Sequence, residues 1–225
     1  MSLTTGRGPL SSDPSGRFSA PVPAGVVYVE PYPRRIRALI GDRVVIDTHR
    51  AQLVHRPGLP TSYAFPVDDV PTELAEPEPD VPGHVAVAWA TVDAWYEENL
   101  HLEFQRYPKN PYHRVDCLPS SRRLRVGCGA VVLVDTTDTL AVYETALEPR
   151  LYVSKLAVRM ELLSVSSTTT SWCSYKGHAT WWDTQVEGTR VSDVAWSYED
   201  PLPESVALGG MLSFDEAVAT VVAGL

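Results

Sequence analysis

Val44-Val45-Ile46-Asp47-Thr48 and Val132-Leu133-Val134-Asp135-Thr136 lie 88 positions apart in a chain of 225 residues. Each is a β-branched, aliphatic run that favours a strand. Each follows a turn-forming glycine, Gly41 or Gly129. The offset persists on both sides. Arg35 and Arg37 fall on Arg123 and Arg125, Val54 on Val142, Leu59 on Leu147, Val70 on Val158, and Glu73-Leu74 on Glu161-Leu162. In all, 11 of the 43 positions from 35 to 77 are identical without a gap, where average residue usage gives about 2 or 3 by chance. The chain reads as two related units.

Strand-like pieces continue the pattern at Ser62 to Phe65 and Arg150 to Val153, at His84 to Ala90, and at Ala179 to Val186. There Glu187-Gly188 makes the following turn. Long helical periodicity is absent. The best helical signal is Ser213-Phe214-Asp215-Glu216, a capping box that predicts a helix over Ala217 to Val222. The expected fold is mainly β, two tandem related small β-rich units with few short helices. Residues 1–25, rich in Ser, Gly and Pro, read as a flexible arm. Residues 26–115 form the first unit, degenerate in its second half, and 116–225 the second.

Composition narrows the function. Lys and Arg number 19 against 28 Asp and Glu, a formal charge of −9, which lacks the footprint of a nucleic-acid binder. No apolar run approaches the roughly 20 residues that span a bilayer, so no membrane partner is expected. Cys117, Cys128 and Cys173 are odd in number and widely spaced. They predict neither a disulfide scaffold nor a zinc knuckle but a reducing cytoplasm. The six histidines contain no H-x-x-x-H pair, so no metal and no cofactor is expected.

The units part company where the offset fails. The first continues into Pro71 to Gly83, with four prolines and four acids, a stiff and solvated connection. The second enters the Ser/Thr run Ser164 to Ser171 and then Cys173-Ser174-Tyr175-Lys176-Gly177-His178, which has no counterpart in the first. Any chemistry is therefore expected in the second unit.

Several ordered motifs resemble one family. Asp116-Cys117-Leu118-Pro119-Ser120-Ser121-Arg122, preceded by Asn110-Pro111-Tyr112-His113, resembles the linker of tandem members of the domain-of-unknown-function 427 family. Val142-Tyr143-Glu144-Thr145, then Leu147, Arg150 and Tyr152, resemble its aromatic-Glu-Thr segment and the strand beyond. Cys173-Ser174-Tyr175-Lys176-Gly177 resembles its Cys-Pro-Tyr-Lys-Gly turn, with Ser174 at the Pro position. Ala195-Trp196-Ser197-Tyr198 resembles its closing segment. The resemblance implies a mainly β fold with no assigned reaction. A nucleotidyltransferase-like label travels with the family, but the sequence holds neither a Gly-rich phosphate loop nor carboxylates at metal-pairing spacing.

These positions supply the candidate site. Gly177 lets the chain bend so that Lys176 and Cys173 face one concavity. Lys176 can pair with an anionic group or, if burial lowers its pKa, act as an amine nucleophile. Cys173 is the candidate thiolate, against the bland reading of a small core residue. Glu144 is the acid/base candidate and is expected to face Arg150 across a hairpin. The bland reading there is a cross-strand ion pair of small net value. Tyr152 and Trp196 are the aromatic walls. Trp181 and Trp182 must point to opposite faces of a strand. The basic clusters around Arg35 and Arg123 recur in both units, which favours strand entry or an inter-unit contact over phosphate binding. The leading expectation is a small-molecule pocket in the second unit, with Arg150 and Lys176 holding an anionic or carbonyl group. The alternative is a non-catalytic protein-interaction module.

Overall fold

The computed structural model describes residues 25–223. The expected flexible arm, all but Gly25, lies outside them. The described chain divides into two units at His113/Arg114.

In the first unit the strands are β1 (Tyr28–Pro31), β2 (Ile36–Ile40), β3 (Arg43–Thr48), β4 (Gln52–His55), β5 (Ser62–Pro66), β6 (Glu76–Pro77), β7 (His84–Ala86), β8 (Ala94–Glu97) and β9 (Leu100–His101). They form one sheet of order β1-β4-β5-β7-β6 and another of order β3-β2-β8-β9. The second unit holds β10 (Val115–Ser120), β11 (Leu124–Cys128), β12 (Val131–Thr136), β13 (Thr139–Glu144), β14 (Arg150–Ser154), β15 (Leu163–Cys173), β16 (Gly177–Val186), β17 (Thr189–Ser197), β18 (Met211–Phe214) and β19 (Thr220–Ala223). Its sheets run β10-β13-β14-β18-β17-β16-β15 and β12-β11-β19. Every strand pair is antiparallel, and the helical pieces among the described residues are short 3₁₀ turns. The fold is mainly β.

The 88-residue offset has a structural counterpart. β2 and β3 return as β11 and β12, and β5 with its two following 3₁₀ turns returns as β14 with its two. Arg35 pairs with Asp47 across β2 and β3, and Arg123 with Asp135 across β11 and β12. The repeated arginines are thus strand-entry braces. Phe65 on β5 pairs with Val85 on β7 as Val153 on β14 pairs with Leu212 on β18. What the second unit adds is the long β15–β16 hairpin, and its tip carries the Cys173–Gly177 turn.

Alternation along the strands decides which side of the seven-stranded sheet each residue serves. Val153, Leu212 and Phe214 pack with Leu124, Val126 and Leu133 against the three-stranded sheet. Tyr152, one residue before Val153, turns to the opposite face, where Leu140, Val142, Ala179, Tyr198 and Leu208 form a second core. Trp182 joins the first core and Trp181 the second, as two successive strand residues must.

Two expectations are overturned. Ala217 to Val222 is not a helix. Residues 211–214 form a central strand paired on both sides, and Thr220–Ala223 pair with β11. The capping-box spacing is genuine, but Ser213 spends its hydroxyl on the Leu151 carbonyl, 3.1 Å away, inside the sheet. Nor is Pro71 to Gly83 wholly solvated. It contributes β6, buries Val81 and buries Glu78 against Arg56.

Candidate functional site

The β13–β14 hairpin and the β15–β16 turn converge on one cleft. Val142 pairs with Arg150 as the last register pair of that hairpin, so Glu144 extends beyond the ladder toward β10, where it faces Val115. The connecting loop passes through Ala146 at φ +66°, a conformation that an L-residue with a side chain adopts only at a cost of about 1–2 kcal/mol. Strain of that kind in a loop lining a cleft is a recurrent mark of functional sites.

The turn opposite is held from behind. Gly177, at φ +102°, lies so close to the Pro201 segment that a Cβ there would stand 3.3 Å from the Asp200 carbonyl oxygen. The Leu202 amide donates to the Lys176 carbonyl at 3.1 Å, and the Ser205 hydroxyl to the Tyr175 carbonyl at 3.0 Å. These contacts fix the direction of Lys176. Its ammonium donates to Oε2 of Glu144. Lys176 is 8% exposed and Glu144 6%. The Cys173 thiol approaches Oε1 of the same carboxylate at 4.0 Å, and the ammonium lies 5.8 Å from the Tyr198 ring centroid.

Burial alone would lower the pKa of the Lys176 amine. The Glu144 carboxylate, with smaller contributions from Tyr152 and Cys173, outweighs it and holds the pKa above the ordinary lysine value. The Glu144 carboxylate thus favours the charged form of Lys176, the opposite of the shift that an amine nucleophile needs. Burial likewise raises the Tyr152 phenol, only partly opposed by Lys176 and by the Trp196 indole that donates to its oxygen at 2.9 Å. Tyr152 thus stays a neutral hydroxyl.

Val142, Glu144, Ala146, Leu147, Glu148, Arg150, Tyr152, Lys176 and Trp196 line a cleft of about 320 Å³. Five of the six sequence candidates are among them. Cys173 is not; it packs beside the second core, with its thiol 4.0 Å from Oε1 of Glu144. The expected Glu144–Arg150 pair does not form. Arg150 reaches Glu216 at 3.0 Å and lies over the Trp196 ring at 5.7 Å. Glu144 is instead partnered by Lys176, from a turn about 30 residues further on. Leu147 and Glu148 are not among the sequence candidates for the site, although both fall in the loop expected to close the hairpin. Glu216 belongs to the capping box that the sequence places before a helix.

The first unit lacks this site. Arg56 stands at the position of Glu144, and Ser62 at that of Arg150. Arg56 donates to Glu78 at 2.5 Å, to Asp80 at 2.8 Å and to Ser62 at 3.0 Å. The charge pair is present with its polarity reversed.

A family model described as a domain of unknown function, DUF427, matches residues 28–82 and 116–224. The chain belongs to the DUF427 family. The first DUF427 segment ends inside the Pro71–Gly83 stretch, before β7. The second spans all of β11 to β19, including the cleft and the added hairpin. No curated protein matches the chain. Among the described residues, no helix is long and apolar enough to cross a membrane. Among them also, no group of three or more His, Cys, Asp or Glu side chains is arranged to hold a metal ion.

Proposed function

We propose that the cleft of the second DUF427 segment binds a small molecule carrying an anionic or carbonyl group. Lys176 and Arg150 are the donors to that group, and Tyr152 and Trp196 are walls for the remainder. The observation that carries this reading is the buried Lys176–Glu144 pair at a cleft whose remaining lining is apolar and aromatic except for Arg150 and Glu148. A few convergent polar groups in an apolar concavity are the ordinary composition of a ligand site. An ammonium held charged in a low-dielectric pocket stabilises an oxygen placed against it more than the same ammonium in water does.

Glu144 is committed to Lys176 at one oxygen and approached by Cys173 at the other, so its part is to position the cation. The geometry supports binding more directly than proton transfer. Cys117, Cys128 and Cys173 are all unpaired thiols, which supports a reducing, cytoplasmic setting.

The test is a thermal-shift screen against metabolites, comparing the wild type with the double variant Glu144→Gln/Lys176→Met, which removes both charges together. A ligand at about 100 times its Kd adds about 2.7 kcal/mol to stability, and that gain should vanish in the variant. Shifts that persist in the double variant, or none with any compound, would reject the cleft and direct the search to protein partners.

A further inference from the structure

Both cations of the cleft have a carboxylate partner, but the two partners differ in kind. Glu144 is buried with Lys176 and cannot leave without stranding an ammonium. Glu216 sits on the turn between β18 and β19, where the Asp215 side chain caps the Ala217 amide at 2.8 Å. It meets Arg150 at 3.0 Å with its side chain 64% exposed, and that of Arg150 is 39% exposed. Exposed pairs of this type have little net stability. Released, Glu216 returns to water and the guanidinium is left facing the cleft mouth beside Trp196.

We propose that Glu216 is an internal competitor for the ligand, and that the ligand's anionic group is a carboxylate on an apolar or aromatic body. This rests on the cleft reading above. Arg150 is already seated against a carboxylate at this point, so a second carboxylate of the right reach takes the place of Glu216 with no change in the guanidinium's bonding. A charged acceptor gains more from a guanidinium than a neutral carbonyl does. Trp196, Tyr152, Val142 and Leu147 offer the apolar wall for the rest of the molecule. Lys176, neutralised by a partner that cannot leave, serves as a secondary donor. Glu216 therefore tunes the affinity of Arg150 for a carboxylate, although it does not line the cleft, whose own carboxylates are Glu144 and Glu148.

The inference separates two probes of nearly one shape, benzoate and its neutral analogue benzamide. Each is titrated into the full chain at constant ionic strength, with the Trp196 indole NMR signal as reporter. The variants are Glu216→Gln, Arg150→Gln and, as a remote control, Glu187→Gln at the far end of β16. Glu216→Gln should tighten benzoate about two- to five-fold, the range that a displaced exposed ion pair allows. It should leave benzamide unchanged, and Glu187→Gln should alter neither. Arg150→Gln should weaken benzoate and spare benzamide. Benzoate binding that is indifferent to Glu216, or that tightens equally in Glu187→Gln, overturns the competitor role while leaving the cleft standing. If neither probe moves the Trp196 signal in any variant, the cleft reading fails and takes this inference with it.

Discussion

Replacing Lys176 by Met should be among the most destabilising single changes in the second unit. The substitution keeps the length and apolar stem of the side chain but removes the ammonium that bonds Oε2 of Glu144. The carboxylate that loses this counter-charge is only 6% exposed. Breaking a buried pair from one side costs about 3–5 kcal/mol, whereas replacing both members by apolar or neutral groups is often close to neutral. At about 2–4 °C per kcal/mol for a chain of this size, Lys176→Met should lower Tm by roughly 6–20 °C. Glu144→Gln/Lys176→Met should recover to within about 1 kcal/mol of the wild type. Urea unfolding followed by tryptophan fluorescence reads both, and with Glu144→Gln the three variants close a double-mutant cycle. The pH dependence follows from the same pair. The folded pKa of Lys176 lies above its unfolded value, so the contribution is complete below the ordinary lysine pKa and is lost as pH rises through the folded value. Wild type should therefore lose stability in strong alkali that the double variant does not lose. A cost under about 1 kcal/mol for Lys176→Met, or a double variant whose loss is the sum of the singles, would refute the idea of a desolvated, mutually dependent pair.

Gly41 and Gly129 take the same turn conformation in the two units, at φ +56° and +57°. A Cβ on Gly41 meets open space, whereas one on Gly129 would stand 2.6 Å from Cγ1 of Val186. Gly41→Ala should cost about 1 kcal/mol from backbone strain alone, and Gly129→Ala should cost a further 1–3 kcal/mol or so from overpacking; chemical denaturation of the two variants checks the difference. Tyr112 donates to Glu30 at 2.6 Å, and this hydrogen bond, with smaller help from burial, pushes its pKa up to about 12. Alkaline absorbance titration should show one high-pH phenolate fewer in Tyr112→Phe, and a Glu30→Gln variant should return that phenol toward its ordinary range.

Much of the fold was legible because strand signals are local. The Val44–Thr48 and Val132–Thr136 runs, the Glu187-Gly188 turn and the opposite facing of Trp181 and Trp182 need only period-two reasoning. The Ala217–Val222 helix was misread because Ser213 and Glu216 satisfy a capping box in sequence. Only the sheet around them decides that Ser213 bonds Leu151 and that Thr220 to Val222 pair with Gly127 to Arg125. The site divides in the same way. The candidate residues gathered because their motifs are spatially adjacent in the hairpins, and Tyr152 and Trp196 met as expected. The partner of Glu144 could not be read from its neighbours. Arg150 is six residues away and shares the hairpin, but the register stops at Val142, and the charge that reaches Glu144 arrives through a turn that no local rule links to it.

The reversed polarity of Arg56 and Glu144 bears on how two such similar units avoid mistaking each other during folding. Neighbouring related units are prone to exchanging equivalent elements. If β4 were to settle in the place of β13, the Arg56 guanidinium would be delivered to the Lys176 ammonium. The converse exchange would bring the Glu144 carboxylate to Glu78 and Asp80. Each hybrid would bury like charges against each other, a penalty of several kcal/mol that neither authentic pairing bears. The opposite charges at these two equivalent positions would thus make the hairpins of the two units poor substitutes for one another.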